Sequence, residues 1–549
     1  MNTSNTEKIF ISPLAADPSE VPEISITDYL FESLKKNDRL NSEKPWVIDA
    51  HTGVQVLFRQ IEPDSKKIAS ALARLGFEKG DVLHFVTYET AQLYLLQVAV
   101  WRLGGTVRGC YQLENTEEYV RQLKETGARF ILVDDETEEI LQKSASHLEW
   151  PVTFFTFGKS INITSVKSLM DDDGTACPEN LKINCKEDVI FIPNTSGSTG
   201  VPKGVLHTHY STIAFNHHPN SLEHLNYDFM TPMSNFAMGS YVVSIASLLR
   251  GSTIIHLGKF QRENYIANML KFKPGNCLMY PFVATWFARC EELAQTDLSF
   301  VKIITVGGGV LDPTTAELLS KKMPCAKIVR VYASSETLDI ANTLIDSSLE
   351  KLIFVKYEGQ LCISSGKLLP NVQAKIIDFS DGQSLEADQV GEICIRSPYL
   401  MKGYLCANSD SGIQVTKDEE GWLHTGDVGF FDTEGRIFIT ERLGFMFKYY
   451  MFIVSPTEIE AVLQEHPGVQ SVGVVGVPNP STTCLARAFV VKQPGFDVTE
   501  EELCEFVKQK LPDYKHLHGG VEFLEKLPES KGNKLDRVAL KRLAEIKIV

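Results

Sequence analysis

An anion asks a protein for amide groups, hydroxyls and a cation held close together, and one stretch of this chain supplies all three. Asn194-Thr195-Ser196-Gly197-Ser198-Thr199-Gly200-Val201-Pro202-Lys203-Gly204 follows the apolar run Val189–Ile192 and precedes a segment of helical character. Gly197, Gly200 and Gly204 let the backbone turn tightly and aim its amides outward, Thr195, Ser196, Ser198 and Thr199 add hydroxyls, and Lys203 adds positive charge. This is phosphate-cradle chemistry. A Walker A loop needs its Gly-Lys followed at once by Ser or Thr, whereas Gly204 follows Lys203 here. A flexible Gly/Ser linker does not suit a strand-flanked loop with an embedded Pro-Lys-Gly. Two other positions invite a chemical reading, but not alone. Tyr332 ahead of Glu336 reads as readily as a core tyrosine beside a solvated glutamate, and Asp427 by itself as a turn carboxylate.

A loop of this kind has to be held by a sheet. Between about residues 65 and 335 short β-branched runs, Val82–Val86, Phe130–Val133, Val189–Ile192, Thr253–Ile255 and Val301–Val306, alternate with helical stretches such as Ile68–Leu75, Tyr119–Gly127, Asn264–Lys271 and Pro313–Lys322. Alternation of this kind predicts an α/β fold of parallel sheets with helices on their faces, whose ligands sit at the carboxyl ends of strands. From about Gly359 to Ile439 shorter runs, Ala374–Ile377 and Gly391–Ile395, between Gly/Asp/Pro turns predict an antiparallel, barrel-like portion. After Arg442 comes a compact α+β stretch, with helices expected at Pro456–Glu465 and Glu500–Lys510 and strands at Ser471–Val477 and Ala488–Val491. The chain has 549 residues, beyond the roughly 250–300 at which single cores stop growing, so two or more domains are expected. The reading divides it into a large domain, 1–440, and a small mobile one, 441–549.

Composition narrows the function classes. With 43% hydrophobic and 23% charged residues the chain is an ordinary globular one, not disordered, collagenous or low-complexity. Lys+Arg 54 against Asp+Glu 70 gives a net charge of −16, which speaks against a nucleic-acid binder. The 11 cysteines include no CxxC pair or Cys/His ladder, so neither a structural zinc site nor a disulfide framework is signalled, and buried thiols in the cytoplasm are expected. No signal peptide or membrane-spanning segment is expected, and Lys547-Ile548-Val549 is not a Ser-Lys-Leu type of peroxisomal address.

At its glycine-rich loop the sequence resembles the adenylate-forming (AMP-binding) superfamily of acyl-CoA synthetases, 4-coumarate-CoA ligases and beetle luciferases. That family's phosphate loop reads Thr/Ser-Ser-Gly-Ser/Thr-Thr-Gly-x-Pro-Lys-Gly, and Thr195–Gly204 matches it throughout. Gly104-Gly105-Thr106, Gly366–Pro370 and Gly403-Tyr404 fall in comparable segments, and Gly421-Trp422-Leu423-His424-Thr425-Gly426-Asp427 is a near-verbatim signature. The resemblance implies that Thr195, Ser196, Gly197, Ser198, Thr199, Gly200 and Lys203 wrap the phosphates of ATP. It implies that Gly307-Gly308-Gly309 wall the adenine slot, Tyr332 stacks on adenine, Ser335 lies near phosphate, and Glu336 with Thr195 holds Mg²⁺. Asp427 would accept from both ribose hydroxyls, a task suited to a carboxylate's two oxygens, and Arg442 would add a ribose or phosphate contact.

Pro528-Glu529-Ser530-Lys531-Gly532-Asn533-Lys534-Leu535-Asp536-Arg537 resembles the family's last motif, which makes Lys534 the catalytic lysine. A carboxylate attacking the α-phosphorus brings two anions together while charge grows on the departing pyrophosphate, and a mobile ammonium offsets both. Lys448, six residues after Arg442, would face the adenylate in a second step with coenzyme A. Three features depart from the family pattern. Met451 stands where a glycine lines the pantetheine tunnel, Gly444 where a lysine is frequent, and Asn533 where a glycine precedes the lysine. Met233, Phe236, Ala237 and Met238 suit an apolar acid or ordinary core packing. The resemblance implies activation of an apolar carboxylic acid, fatty or aryl, to acyl-AMP and its transfer to coenzyme A. Two rivals stand beside it: an adenylation-only or luciferase-like enzyme, favoured by Met451, and a non-catalytic nucleotide- or acyl-binding relative.

Overall fold

The computed structural model describes residues 7–14, 16–88, 91–110, 114–158, 160, 162–195, 203–218, 222–258, 260–293, 296–345, 352–357, 360–406, 412–450, 452–479, 481–530 and 534–546. Val82–Val86 is buried along its whole length and pairs in parallel with Thr106–Gly109 on one side and Phe130–Val133 on the other. A strand buried on both faces needs helices to cover them, and the sequence supplies them between the strands. Ala91–Arg102 is almost wholly buried. Thr116–Thr126 starts where the Asn115 side chain accepts from the Glu118 amide and stops at Gly127, whose φ is 58°.

Among the described residues this set belongs to a nine-stranded sheet that runs outward from Val82–Val86 through Val189–Phe191 and Val205–Thr208 to Gly403–Leu405. A second nine-stranded sheet centres on the parallel strands Phe229–Thr231, Asn276–Met279, Ile303–Val306 and Lys327–Ser334, then turns antiparallel at Leu338–Asn342. Pro313–Lys322 crosses between two of them, capped where Asp312 accepts from the Thr315 amide. The expected α/β class with parallel sheets is therefore the fold.

The barrel-like portion is a five-stranded antiparallel sheet ordered Phe10–Ile11, Gln373–Ile377, Gly391–Arg396, Leu423–Phe431 and Ile437–Arg442. A separate sheet follows, built on the long hairpin Val469–Asn479 and Thr483–Lys492, with its own core of Val474, Ala488, Val490, Leu463 and Leu503. The helix Arg537–Ile546 covers its other face through Leu540 and Ala544. No helix among the described residues is long and apolar enough to cross a membrane.

Asp339, on the strand leaving the second sheet's antiparallel turn, is buried, and burial pushes its carboxyl up to about 7. The native state then binds a proton that the unfolded chain has released above 3.8, so stability falls as pH rises from there through about 7. Asp339→Asn should melt higher than the parent at pH 8 and show a flatter dependence of melting temperature on pH. Parallel curves for the two proteins across pH 4–8 would refute the assignment.

Candidate active site

The two nine-stranded sheets, the antiparallel sheet and the C-terminal segment converge on a cavity of about 1860 Å³. Its walls include Thr195, Lys203, Gly308, Gly309, Tyr332, Ser335, Glu336, Asp427, Arg442, Gly444 and Lys534. Residues drawn from a span of 340 positions in the chain thus meet at the carboxyl ends of parallel strands. Ser196, Gly197, Ser198, Thr199 and Gly200, together with Met451 and Asn533, lie outside the described residues.

The neck of the glycine-rich loop is a short antiparallel closure. Asn194 bridges Gly204, and the Thr195 amide donates to the Lys203 carbonyl at 2.9 Å. Behind that neck stands Arg108, whose guanidinium is fully buried in the strand Thr106–Gly109. It donates to the Gln122 carbonyl at 3.0 Å, to Glu125 at 3.0 Å and to the Asn194 side-chain oxygen at 3.2 Å. Asn194 in turn donates to the Gly109 carbonyl and to the Gln122 side chain. Both terminal nitrogens of the buried guanidinium are thus used, which is what lets it be tolerated, while its Nε has no partner among the described residues.

Tyr332 lies two residues before the end of the strand Lys327–Ser334, and the chain then reverses through a turn in which the Ser334 and Thr337 hydroxyls lie 2.9 Å apart. The reversal sets Glu336 in the cavity, where its Oε1 accepts from the Tyr404 hydroxyl at 2.6 Å. Lys203 Nζ stands 5.1 Å above the ring of that tyrosine. Ser335 is fixed through its carbonyl, which accepts from His207 Nε2 at 2.8 Å. Burial pushes His207 down to about 4, so the ring is neutral and its tautomer is set by that bond.

Asp427 and Arg442 are directly opposite across adjacent antiparallel strands. Their side chains share one face, and Arg442 Nε donates to Asp427 Oδ1 at 2.9 Å while the Tyr332 hydroxyl donates to Oδ2 at 2.7 Å. Burial pushes the Asp427 carboxyl up against the pull of Arg442. The guanidinium is raised chiefly by Asp427. The two directions agree physically: the pair favours both charges, and only the deeper carboxylate loses more to desolvation than it gains.

Lys534 is held by the Ser530 amide, which donates to the Lys534 carbonyl at 2.6 Å, next to the bridge between Glu529 and Leu535. Arg537, three residues on, donates to the Val474 carbonyl at 2.8 Å and to Glu460 at 2.8 Å. The lysine side chain keeps solvent-exposed surface because it stands in the open cavity, yet protein surrounds it. Desolvation, then Arg442, pulls its ammonium below the ordinary 10.5. Opposite it is Gly308, at φ 82°, where an added Cβ would lie 3.7 Å from Lys534 Cε and 3.1 Å from the Tyr280 ring. Only glycine suits that backbone and that gap. Gly307 is tied to the preceding strand by its amide, which donates to the Met279 carbonyl at 3.2 Å. Lys448 is exposed on the strand Phe447–Tyr449 and is not among the residues lining the cavity.

A second part of the cavity is apolar, walled by Phe236, Phe260, Phe282 and Trp286. Phe260 meets Phe282 edge-on with centroids 5.6 Å apart and Trp286 at 6.1 Å. The arrangement joins an end rich in Lys, Arg and hydroxyls to an apolar, aromatic-walled end. Sequence reading missed Arg108, Tyr280 and the role of the Tyr404 hydroxyl. A charged residue inside an otherwise apolar strand, Thr106–Gly109, was the available signal for the first.

Family models match most of the chain: that of the AMP-binding enzyme over residues 34–405 and that of the AMP-binding enzyme C-terminal domain over residues 458–534. A 4-coumarate-CoA ligase of Pinus taeda is 30% identical over 96% of this chain and 97% of its own length. A luciferin 4-monooxygenase of Nipponoluciola cruciata is 32% identical over 66% of this chain and 65% of its own. The crystal structure of the anthranilate CoA ligase AuaEII in complex with anthranoyl-AMP superposes with a TM-score of 0.83, at 21% identity over 97% of this chain and all of that one.

Arg108→Lys keeps the charge but loses the fork that reaches three acceptors, so it should cost about 2–4 kcal/mol in urea unfolding. A cost below about 0.5 kcal/mol, the scale of an ordinary surface substitution, would show that the buried network does not hold the loop's neck.

Proposed function

Since the chain belongs to the AMP-binding enzyme family, we propose that it activates an apolar carboxylic acid, fatty or aryl, as acyl-AMP and passes the acyl group to coenzyme A. The observation that carries this reading is Lys534, which reaches into the same cavity as Glu336, Asp427 and Arg442 although more than a hundred residues separate it from Asp427 in the chain. A protein that only bound nucleotide would have no need of that ammonium. The aromatic wall of Phe260, Phe282 and Trp286 supports an apolar acid, and the 4-coumarate-CoA ligase relative supports the ligase class.

In the first step one oxygen of the acid attacks the α-phosphorus of ATP, the bond from that phosphorus to the bridging oxygen breaks, and pyrophosphate leaves. The 195–203 loop and Lys203 hold the β- and γ-phosphates, and Asp427 holds the ribose. Lys534 offsets the charge shared by nucleophile and leaving group. Glu336 and Thr195 offer the hard oxygen ligands that suit Mg²⁺, and the Tyr404 hydroxyl keeps the Glu336 carboxylate aimed into the cavity. When bound, that ion supplies neutralisation of phosphate charge.

In the second step the coenzyme A sulfur attacks the acyl carbon, AMP departs, and the thiol proton passes to solvent. We take residues 441–549 to turn about the segment Arg442–Phe445 between the steps, bringing Lys448 in and taking Lys534 out. Gly444 in that segment lets the backbone turn freely. No disulfide joins any of the 11 cysteines, which supports a cytoplasmic setting. Met451 and the luciferin 4-monooxygenase relative favour the rival, an enzyme that stops at acyl-AMP or oxidises it.

Pyrophosphate release over a panel of carboxylic acids, with and without coenzyme A, separates these readings. Acid-dependent release should fall about 10²–10³-fold in Lys534→Ala. Release without a thioester product favours the rival, and no release with any acid would leave a binding protein. Because deprotonation removes the cation, kcat/KM for ATP should fall as pH rises through a value below 10.5, and that limb should move upward in Lys534→Arg. An unchanged limb in the arginine variant would exclude Lys534 as its source.

A further inference from the structure

We propose that Glu392, Cys394 and His424 form a binding site for a thiophilic divalent cation of the zinc type, seated on the same strand that carries Asp427. Glu392 and Cys394 are two apart on the strand Gly391–Arg396, so they share a face, and Cys394 is paired directly with His424 on the strand Leu423–Phe431. The ligand atoms of all three lie within 4.8 Å of one another. Cys394 Sγ is 3.7 Å from His424 Nδ1, and that nitrogen is 3.1 Å from Glu392 Oε2. A tetrahedral zinc ion with ordinary bond lengths separates sulfur from nitrogen by about 3.6 Å and nitrogen from oxygen by about 3.4 Å. The side chains therefore already stand near a metal's spacing, with a fourth position left for water.

The surroundings match what a ligating histidine needs. Its other ring nitrogen, Nε2, faces Asp418 Oδ2 at 3.7 Å. Asp418 is itself held by the Glu420 and Trp422 amides, which donate to its other oxygen. A carboxylate behind the second imidazole nitrogen fixes the ring's orientation and strengthens it as a ligand. Cys394 sits on an apolar floor with Trp422 and Ile377, while His424 is accessible, so a cation enters from the histidine side. Thiolate and imidazole select zinc-type ions over the Mg²⁺ that accompanies ATP. Binding replaces the S–H bond with an S–metal bond, the proton leaves to water, and no electron is transferred.

The site is wired to the cavity. Glu392 Oε1 accepts from the Gly426 amide at 3.2 Å, and Gly426 precedes Asp427. A cation drawing on Glu392 and His424 grips both ends of the stretch His424–Asp427. Bound zinc would thus act as an inhibitor that weakens ATP binding more than acid binding.

Cobalt(II) reports on the site directly in the intact resting protein, so metal binding is read whether or not acid-dependent pyrophosphate release is found. Titration should give a thiolate-to-cobalt charge-transfer band at one equivalent, bleached by Zn²⁺ but not by Mg²⁺. Cys394→Ser should abolish the band, Asp418→Asn should weaken binding about 10–100-fold, and the exposed His424→Gln should weaken it at least tenfold even if the serine variant folds poorly. The exposed cluster Asp513, His516 and His518 has no thiol and cannot produce this band. Absence of the band, its survival in Cys394→Ser, or equal affinity in His424→Gln would overturn the proposal. Given an active enzyme, Zn²⁺ should raise the KM for ATP in the parent and not in Cys394→Ser, and equal inhibition of both would overturn the link to Asp427.

Discussion

A buried carboxylate must be paid for by donors, and the donors that Asp427 uses organise the site. Tyr332 reaches it from the second parallel sheet and Arg442 from the neighbouring antiparallel strand. Two layers of the fold are therefore tied at one pair of oxygens. Removing either donor leaves charge in a poorly solvated place, a change that usually costs several kcal/mol. The same pair fixes where the C-terminal segment leaves the antiparallel sheet, because the strand that carries Arg442 ends there.

Strand alternation extends that control. Successive side chains point to opposite faces. Arg442 faces the cavity, while Glu441 before it is buried and accepts from the Ser455 hydroxyl at 2.8 Å and the Thr457 amide at 3.0 Å, at the start of the helix Pro456–Gln464. Two neighbouring residues thus hold the wall of the cavity and the C-terminal segment together. On the proposed reading, a turn about Arg442–Phe445 has to release the Glu441 contacts with Ser455 and Thr457 while sparing Asp427–Arg442. A hinge placed just after the pair, where Gly444 lies, does both.

Much of this was legible in the sequence where a local rule applied. Val82–Val86, Phe130–Val133 and Pro313–Lys322 have the observed bounds because apolar runs and an Asp-Pro start are local signals. The Gly/Ser/Thr/Lys loop drew attention by composition alone, and the described residues at its neck, Thr195 and Lys203, do stand at the cavity's edge. What could not be read depends on pairing between distant strands. Tyr404 reaches Glu336 only because Gly403–Leu405 lies between Val205–Thr208 and Ile413–Gln414, in a sheet whose order the sequence does not state. The absence of a CxxC pattern was a sound reason to expect no structural zinc site, yet Glu392, Cys394 and His424 meet through strand register, which that pattern does not encode.

The places where sequence rules fail are not scattered. Arg108 puts a guanidinium in a buried strand, Asp339 puts a carboxyl in the core, and Leu338 holds a φ of 57° that a branched side chain ordinarily avoids. The first stands at the neck of the glycine-rich loop, and the others lie on the strand that leaves Glu336. Local choices at odds with the fold persist when the surroundings over-determine them, and such places tend to be functional. Leu338 can keep its backbone because its strand pairs with Lys327–Ser334 on one side and Lys367–Leu368 on the other. The strain and the buried charge are thus borne by the parallel sheets, and what they secure is the position of Asn194 and Glu336 at the cavity's edge.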